Sequence, residues 1–199
     1  NLQGFKNPLV ILGSMISSQE KEDCLKLCQK MEAPVLCDVQ HPLRFKEFAE
    51  NIFYFDLLLD VVDVTLDKYA PDIILHLGGP LTSKRLGQFI EKFGGPYVQI
   101  HPFAQRLDPI HKEKILIQAT AKEFINSVSA LPKSSILENW QKANLLVKNI
   151  LKAEFDSSLN EINVFEHLSQ EQASFFIGSS MPIRDLERFT GAAQGHFFF

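Results

Sequence analysis

Short unbroken apolar runs alternate with amphipathic stretches along the first two-thirds of this 199-residue chain. Pro8–Leu12 (PLVIL) predicts a buried strand, closed by Gly13. Residues 17–31 predict a helix with Ser17 or Ser18 as its cap, acids early, and Cys24, Leu25, Leu27 and Cys28 on the inward face. Further strands are predicted at Pro34–Asp38, Asp72–Leu77 and Tyr97–His101, with a helix over Thr82–Phe93 between the last two. Residues 39–69 are less regular: helical pieces are expected around 45–51 and 57–65, with a short strand near 52–55. Strands that are apolar throughout, rather than alternating, and that are separated by helices predict an open parallel sheet with helices on both faces, a Rossmann-like α/β domain.

The pattern then changes. One more strand is predicted over 112–118 and a helix over 121–130, after which LPKSS (131–135) reads as a boundary. Beyond it lie helices over 136–153 and 160–168, a strand at 174–177, a helix from Pro182 to Phe189 and the start of a strand at 195–199. The expected organisation is a central α/β domain over residues 1–130. Residues 131–199 would then be a linker and the truncated opening of a second α/β domain.

Composition narrows the function classes. Acidic residues outnumber basic ones, 24 to 20, giving a net charge of −4; a general nucleic-acid binder would carry the opposite surplus. The longest apolar runs, Ile73–Leu77 and Phe53–Leu59, are too short or too interrupted to span a bilayer. No basic segment followed by an apolar stretch opens the chain, although Asn1–Gly4 also reads as an internal start, which leaves a removed targeting segment open. Three cysteines suit reduced thiols and a cytoplasmic setting rather than a disulfide framework. Cys24 and Cys28 share a helix face, but no second pair completes a metal site, so they are assigned to the core.

Two predicted strand ends carry residues with chemistry. In LGGPLTSKRL (77–86), Gly78 and Gly79 permit a tight turn, Thr82 or Ser83 caps the next helix, and Lys84 and Arg85 fall in its first turn. Cations there oppose the helix dipole by roughly a few tenths to 1 kcal/mol each, a cost that a bound anion reverses; the alternative is a solvated basic turn. In FFIGSSMPIRDLERF (175–189), Ser179 and Ser180 offer hydroxyls and a cap, Pro182 fits the first helical turn, and Arg184 again sits near a helix start. A guanidinium beside hydroxyls and amides suits a carboxylate; the alternative is a surface arginine paired with Asp185 or Glu187. GxGxxG, GxxxxGK[ST], HExxH and GxSxG motifs are absent. His101 and His111 flank a turn that an Arg106–Asp108 contact would stabilise.

At these two motifs the sequence resembles a known family. FFIGSSMPIRDLERF is similar to the LFVGNSMPIRDVDTF segment of 2-succinyl-5-enolpyruvyl-6-hydroxy-3-cyclohexene-1-carboxylate (SEPHCHC) synthases, and HLGGPLTSKRLGQFI resembles their LGxxLTxKRL segment. PVLCDVQHPLRF, APDIILHLG, QRLDP and LENWQKAN add weaker matches in the same order, so the resemblance runs from about residue 7 to 199. It implies a three-domain enzyme, homo-oligomeric when full-length, that depends on thiamine diphosphate and Mg²⁺. Such an enzyme decarboxylates 2-oxoglutarate on the cofactor ylid and adds the succinyl unit to isochorismate in menaquinone biosynthesis. Carried over by motif, Ser180 and Arg184 would bind carboxylates of the oxoglutarate-derived adduct, and Lys84, with Arg85, would face isochorismate. Ser179 departs from the family's asparagine. Neither the family's cofactor-activating glutamate nor its GDG-type diphosphate motif occurs here. No catalytic, cofactor-binding or metal-ligating residue is therefore assigned, and the chain is expected to be silent alone. Two other readings stand beside this one: a non-enzymatic α/β module binding a small anion or a partner protein, and a nucleotide-binding domain of transhydrogenase-like shape.

Overall fold

The computed structural model describes residues 2–15, 20–61, 68–104, 115–154 and 160–199. Five strands form one parallel sheet: β1 (Pro8–Leu12), β2 (Val35–Cys37), β3 (Ile73–Leu77), β4 (Tyr97–His101) and β5 (Ile115–Gln118), in the order β2-β1-β3-β4-β5. The central strands β1, β3 and β4 are buried along their whole length, as their largely apolar sequences favour, and the polar His76, Gln99 and His101 are buried with them. Alternate side chains feed two cores. Val10, Leu12, Leu75, Leu77, Val98 and Ile100 pack against Cys24, Leu27, Cys28 and Met31 of α1 (Lys21–Met31) and Phe124 of α4 (Ala121–Ser127). On the other face Leu9, Ile11, Leu36 and Ile74 meet α2 (Phe55–Val61), α3 (Lys84–Lys92) and α5 (Leu137–Glu154), whose Trp140 is 1% exposed.

The α/β fold class is as the sequence predicts, and most elements lie within a few residues of their expected positions. The Ser17 or Ser18 cap, residues 62–65 and 112–114, and the Arg106–Asp108 turn with His111 fall outside the described residues. The expected helix over 45–51 does not form. Turns replace it, closed by Lys46 N donating to Leu43 O and Asn51 N to Phe48 O, and the Asn51 side-chain amide, which donates to the carbonyls of Leu43, Arg44 and Lys46, stabilises this turned backbone. In place of the strand expected near 52–55 there is a single bridge, Val35 to Asn51, which covers the outer edge of β2.

Beyond α5, whose buried face stays with the first sheet, α6 (Glu161–Gln170), β6 (Ser174–Phe176), α7 (Met181–Phe189) and β7 (His196–Phe198) build a second unit around the parallel pair β6–β7. Its small core joins Phe165, Ile183 and Leu186 to Val39 of the loop after β2. Under that contact lies Arg44, fully buried. Its Nη2 donates to the carbonyls of Phe53 at 2.9 Å, Glu187 at 2.5 Å and Thr190 at 3.2 Å. The rings of Phe45, Phe53 and Phe55 lie 5.3–5.9 Å from its carbon centre. Arg44 thus ties the end of α7 to the first unit.

Removing the guanidinium leaves its carbonyl acceptors unpaired, at a cost of about 1–3 kcal/mol. Arg44→Ala is accordingly expected to strip amide-exchange protection from α6 and α7 while leaving the central strands protected. Equal protection of α7 in both proteins would show that Arg44 does not hold it.

Candidate functional site

In a sheet of order 2-1-3-4-5, ligands are expected where strand order reverses, here at the carboxyl ends of β1 and β3. That crevice is closed by the chain itself. Gly13 N donates to Leu77 O at 2.8 Å, Ser14 N to Pro80 O at 3.3 Å and Gly79 N to Ser14 O at 2.7 Å. A methyl group at Gly13 would fall 2.2 Å from the Gly79 carbonyl oxygen. Gly78, at φ 87°, makes the turn that brings these backbones together. The loop is also stapled to the end of β2: Asp38 accepts from Thr82 N at 2.5 Å and from the Thr82 hydroxyl at 3.2 Å.

Beside this loop, open space lies one layer out, in a cleft of about 310 Å³ between α2 and the starts of α3 and α7. Lys84, Arg85, Arg184, Arg188, Asp56, Asp60 and Glu187 line it, with Ser83 and Met181. The volume suits a small ligand. Three of the four residues singled out by sequence meet here, and the fourth, Ser180, stands just before α7 beside it.

The cations are not equivalent. Arg85 is ion-paired through Nη1 to Asp56 at 2.9 Å and through Nε to Asp60, so its charge is matched within the fold. Arg188 Nε lies 3.4 Å from the same Asp56 carboxylate. Lys84 and Arg184 are exposed, and among the described residues neither makes an ion pair. Glu187, an expected partner of Arg184, is instead 1% exposed and turned inward, where its Oε1 accepts from Val39 N at 3.1 Å. Burial first, and the Asp38 carboxylate next, push its carboxyl up to about 8, with Arg44 acting against both.

The two helix starts differ as well. Ser83 caps α3 as predicted: its Oγ accepts from Leu86 N at 3.0 Å and donates to Asp56 at 2.5 Å. The cap bond expected from Ser180 is not made, and Ser180 is held at φ 78°, ψ −123°, a conformation ordinarily reserved for glycine. The first turn of α7 therefore presents its amides uncapped, with an exposed serine hydroxyl and Arg184 beside them. His101 accepts from Phe103 N at 3.2 Å and only stabilises its own turn. Cys24, Cys28 and Cys37 are buried free thiols, that of Cys24 pushed up to about 12 by burial; such thiols are inert. Sequence reasoning gave no role to Asp56, which lies outside every matching segment, nor to Asp38 and Arg44, which lie within PVLCDVQHPLRF but show their part only through the partners that the fold brings to them.

The family model described as the middle domain of thiamine pyrophosphate matches residues 5–177. The chain belongs to the thiamine pyrophosphate enzyme middle-domain family. Within this family it is similar to enzymes named SEPHCHC synthase. It is 33% identical to that of Psychromonas ingrahamii over 90% of the chain and 32% of the relative. The corresponding figures are 29% over 96% and 35% for Bacillus pumilus, and 30% over 88% and 31% for Shewanella baltica. The chain thus spans about a third of the length of these relatives. The residues of this middle domain do not fit the diphosphate–metal end of thiamine pyrophosphate. The described residues hold no cluster of three or more His, Cys, Asp or Glu suited to a metal, and the glycine turn at the switch point is filled by backbone. No described helix is long and apolar enough to cross a membrane.

Because the Glu187 carboxyl is raised above its ordinary value of 4.5, the folded state holds a proton there that the unfolded chain releases. That contribution to stability is complete below about pH 4.5 and is lost as pH rises through about 8. Glu187→Gln is expected to reduce the fall in stability across this window, by up to about 1.4 kcal/mol per pH unit. Denaturant melts at successive pH values would show it, and an unchanged slope would contradict it.

Proposed function

We propose that the complete protein is a SEPHCHC synthase of menaquinone biosynthesis: a thiamine-diphosphate- and Mg²⁺-dependent transferase that decarboxylates 2-oxoglutarate and adds the succinyl unit to isochorismate. Residues 1–130 form its central domain, and residues 131–199 the connection and opening of the diphosphate-binding domain. The observation that carries this reading is that the two helix starts singled out by motif converge on one cleft, each contributing an exposed cation with no ion-pair partner among the described residues. Both substrates are dianions, so a site with two uncommitted cations set apart on two helices matches them in charge. Similarity to enzymes of that name over about 90% of the chain supports the same reading.

Within the cleft, Arg184 with the Ser180 hydroxyl and the uncapped amides of α7 would hold a carboxylate of the oxoglutarate-derived unit. Guanidinium and amides together permit short, charge-assisted hydrogen bonds. Lys84, at the uncancelled start of α3, would face isochorismate. Arg85 takes the supporting place beside it: paired with Asp56 and Asp60, it holds α3 rather than reaching outward. Ser179 is exposed, and its hydroxyl is shorter than the amide that the family carries there. The buried free thiols suit the cytoplasm and the net charge of −4 suits small-molecule substrates rather than nucleic acid; the family resemblance implies a homo-oligomer. The cofactor and metal would be held by residues other than those described.

Steady-state kinetics of the complete protein test the assignment. Arg184→Ala is expected to raise the KM for 2-oxoglutarate about tenfold or more, the loss of one charge-assisted contact of about 1.5–3 kcal/mol, and Lys84→Ala to act on isochorismate. Unchanged kinetics in both variants would return the two cations to plain surface roles. The 199-residue chain alone is expected neither to bind thiamine diphosphate tightly nor to release CO₂ from 2-oxoglutarate. Micromolar binding in a calorimetric titration would overturn that expectation.

A further inference from the structure

Lys84 and Arg184 belong to different units of the fold, so their spacing is not set by any one element. Beside the Arg44 joint, one further side chain reaches toward both helices. Asp56, in the first turn of α2, is 4% exposed and meets two hydrogen-bond donors and one further cation. Its Oδ1 accepts from the Ser83 hydroxyl at 2.5 Å; its Oδ2 accepts from Arg85 Nη1 at 2.9 Å and lies 3.4 Å from Arg188 Nε. Ser83 and Arg85 flank Lys84 in sequence at the start of α3. Arg188 follows Arg184 by four residues, one turn along α7, on the same face of that helix.

From this geometry we infer that Asp56 is a positioning residue, which fixes the two ligand-facing cations relative to each other and keeps the neighbouring arginines out of the cleft. The inference rests on the reading of the cleft as the substrate-anion site. The argument is one of charge and of reach. Without the Asp56 carboxylate, Arg188 loses its acidic contact and Arg85 keeps only Asp60, which is at the half-exposed rim. Two long cations would then compete with Lys84 and Arg184 for the same carboxylates, and a dianion would bind in several registers rather than one. A near-attack arrangement tolerates little such freedom, since a displacement of about 1 Å costs roughly a hundredfold in rate. Asp56 touches neither substrate in this account and acts only through Ser83, Arg85 and Arg188.

The test is a pair of double-mutant cycles in the complete, cofactor-loaded protein. In the native background, Arg184→Ala and Lys84→Ala are each expected to raise the KM of their own substrate about tenfold. In an Asp56→Asn background each is expected to cost less than about threefold, because the cations are no longer held where they count. Asp56→Asn itself should lower kcat more than it raises either KM. A merely structural aspartate would lower the melting temperature yet leave the two cation costs undiminished, and that outcome overturns the inference. If neither cation matters in the native background, the substrate-site reading fails and the inference falls with it, a result distinct from undiminished costs. Should Asp56→Asn not fold, Arg188→Gln cuts only the α7 side. It is expected to shrink the Arg184 cost while leaving the Lys84 cost whole, and an undiminished Arg184 cost would again overturn the inference.

Discussion

The placing of the cleft depends on a guanidinium that has no exposed surface. Arg44 spends one nitrogen on three carbonyls, two of them at the end of α7, and lies among three phenylalanine rings. A buried charge is costly unless its surroundings compensate it. Here the compensation comes from both units at once: Phe53 on one side, Glu187 and Thr190 on the other. Glu187 reinforces the joint from α7 by accepting from Val39 N. Separating the two units would strand all of these groups, so α7 is held against the loop after β2, and Arg184 is held with it.

From that joint the rest of the site follows outward. Asp38 pins the glycine loop to the end of β2, and Ser83 caps α3. Backbone fills the switch-point crevice, which displaces the usable space to the groove between α3 and α7. There the arginines near the fold are matched by Asp56 and Asp60, whereas Lys84 and Arg184 are not. Each uncommitted cation sits at a helix start, where it opposes the dipole, and Ser180 holds a backbone conformation that favours glycine. Unfavourable features gathered at one cleft are what a binding site looks like when its ligand supplies the missing stabilisation.

Much of the fold was legible because periodicity reports burial directly. The largely apolar runs of β1, β3 and β4, short and set between helical patterns, point to strands covered on both faces, and the glycine and serine signals mark the starts of α3 and α7. The segment after β2 was misread because its structure is decided by Asn51 and Arg44, whose partners are carbonyls brought together by the fold; no local pattern announces that. The motif cations were found from their spacing, yet sequence could not distinguish Arg85 from Lys84. The difference lies in Asp56 and Asp60, more than twenty residues away along the chain. Spacing offers Arg184 either Asp185 or Glu187 as an alternative partner, because a helix pattern does not show that Glu187 turns inward.

The most direct check on the account is the position of a bound carboxylate in a crystal structure of the complete protein with 2-oxoglutarate. A carboxylate of the ligand is expected within about 2.7–2.9 Å of the Arg184 guanidinium, beside the Ser180 hydroxyl, with Arg85 still paired to Asp56 and Asp60. A ligand bound elsewhere, with Arg184 facing only solvent, would contradict it.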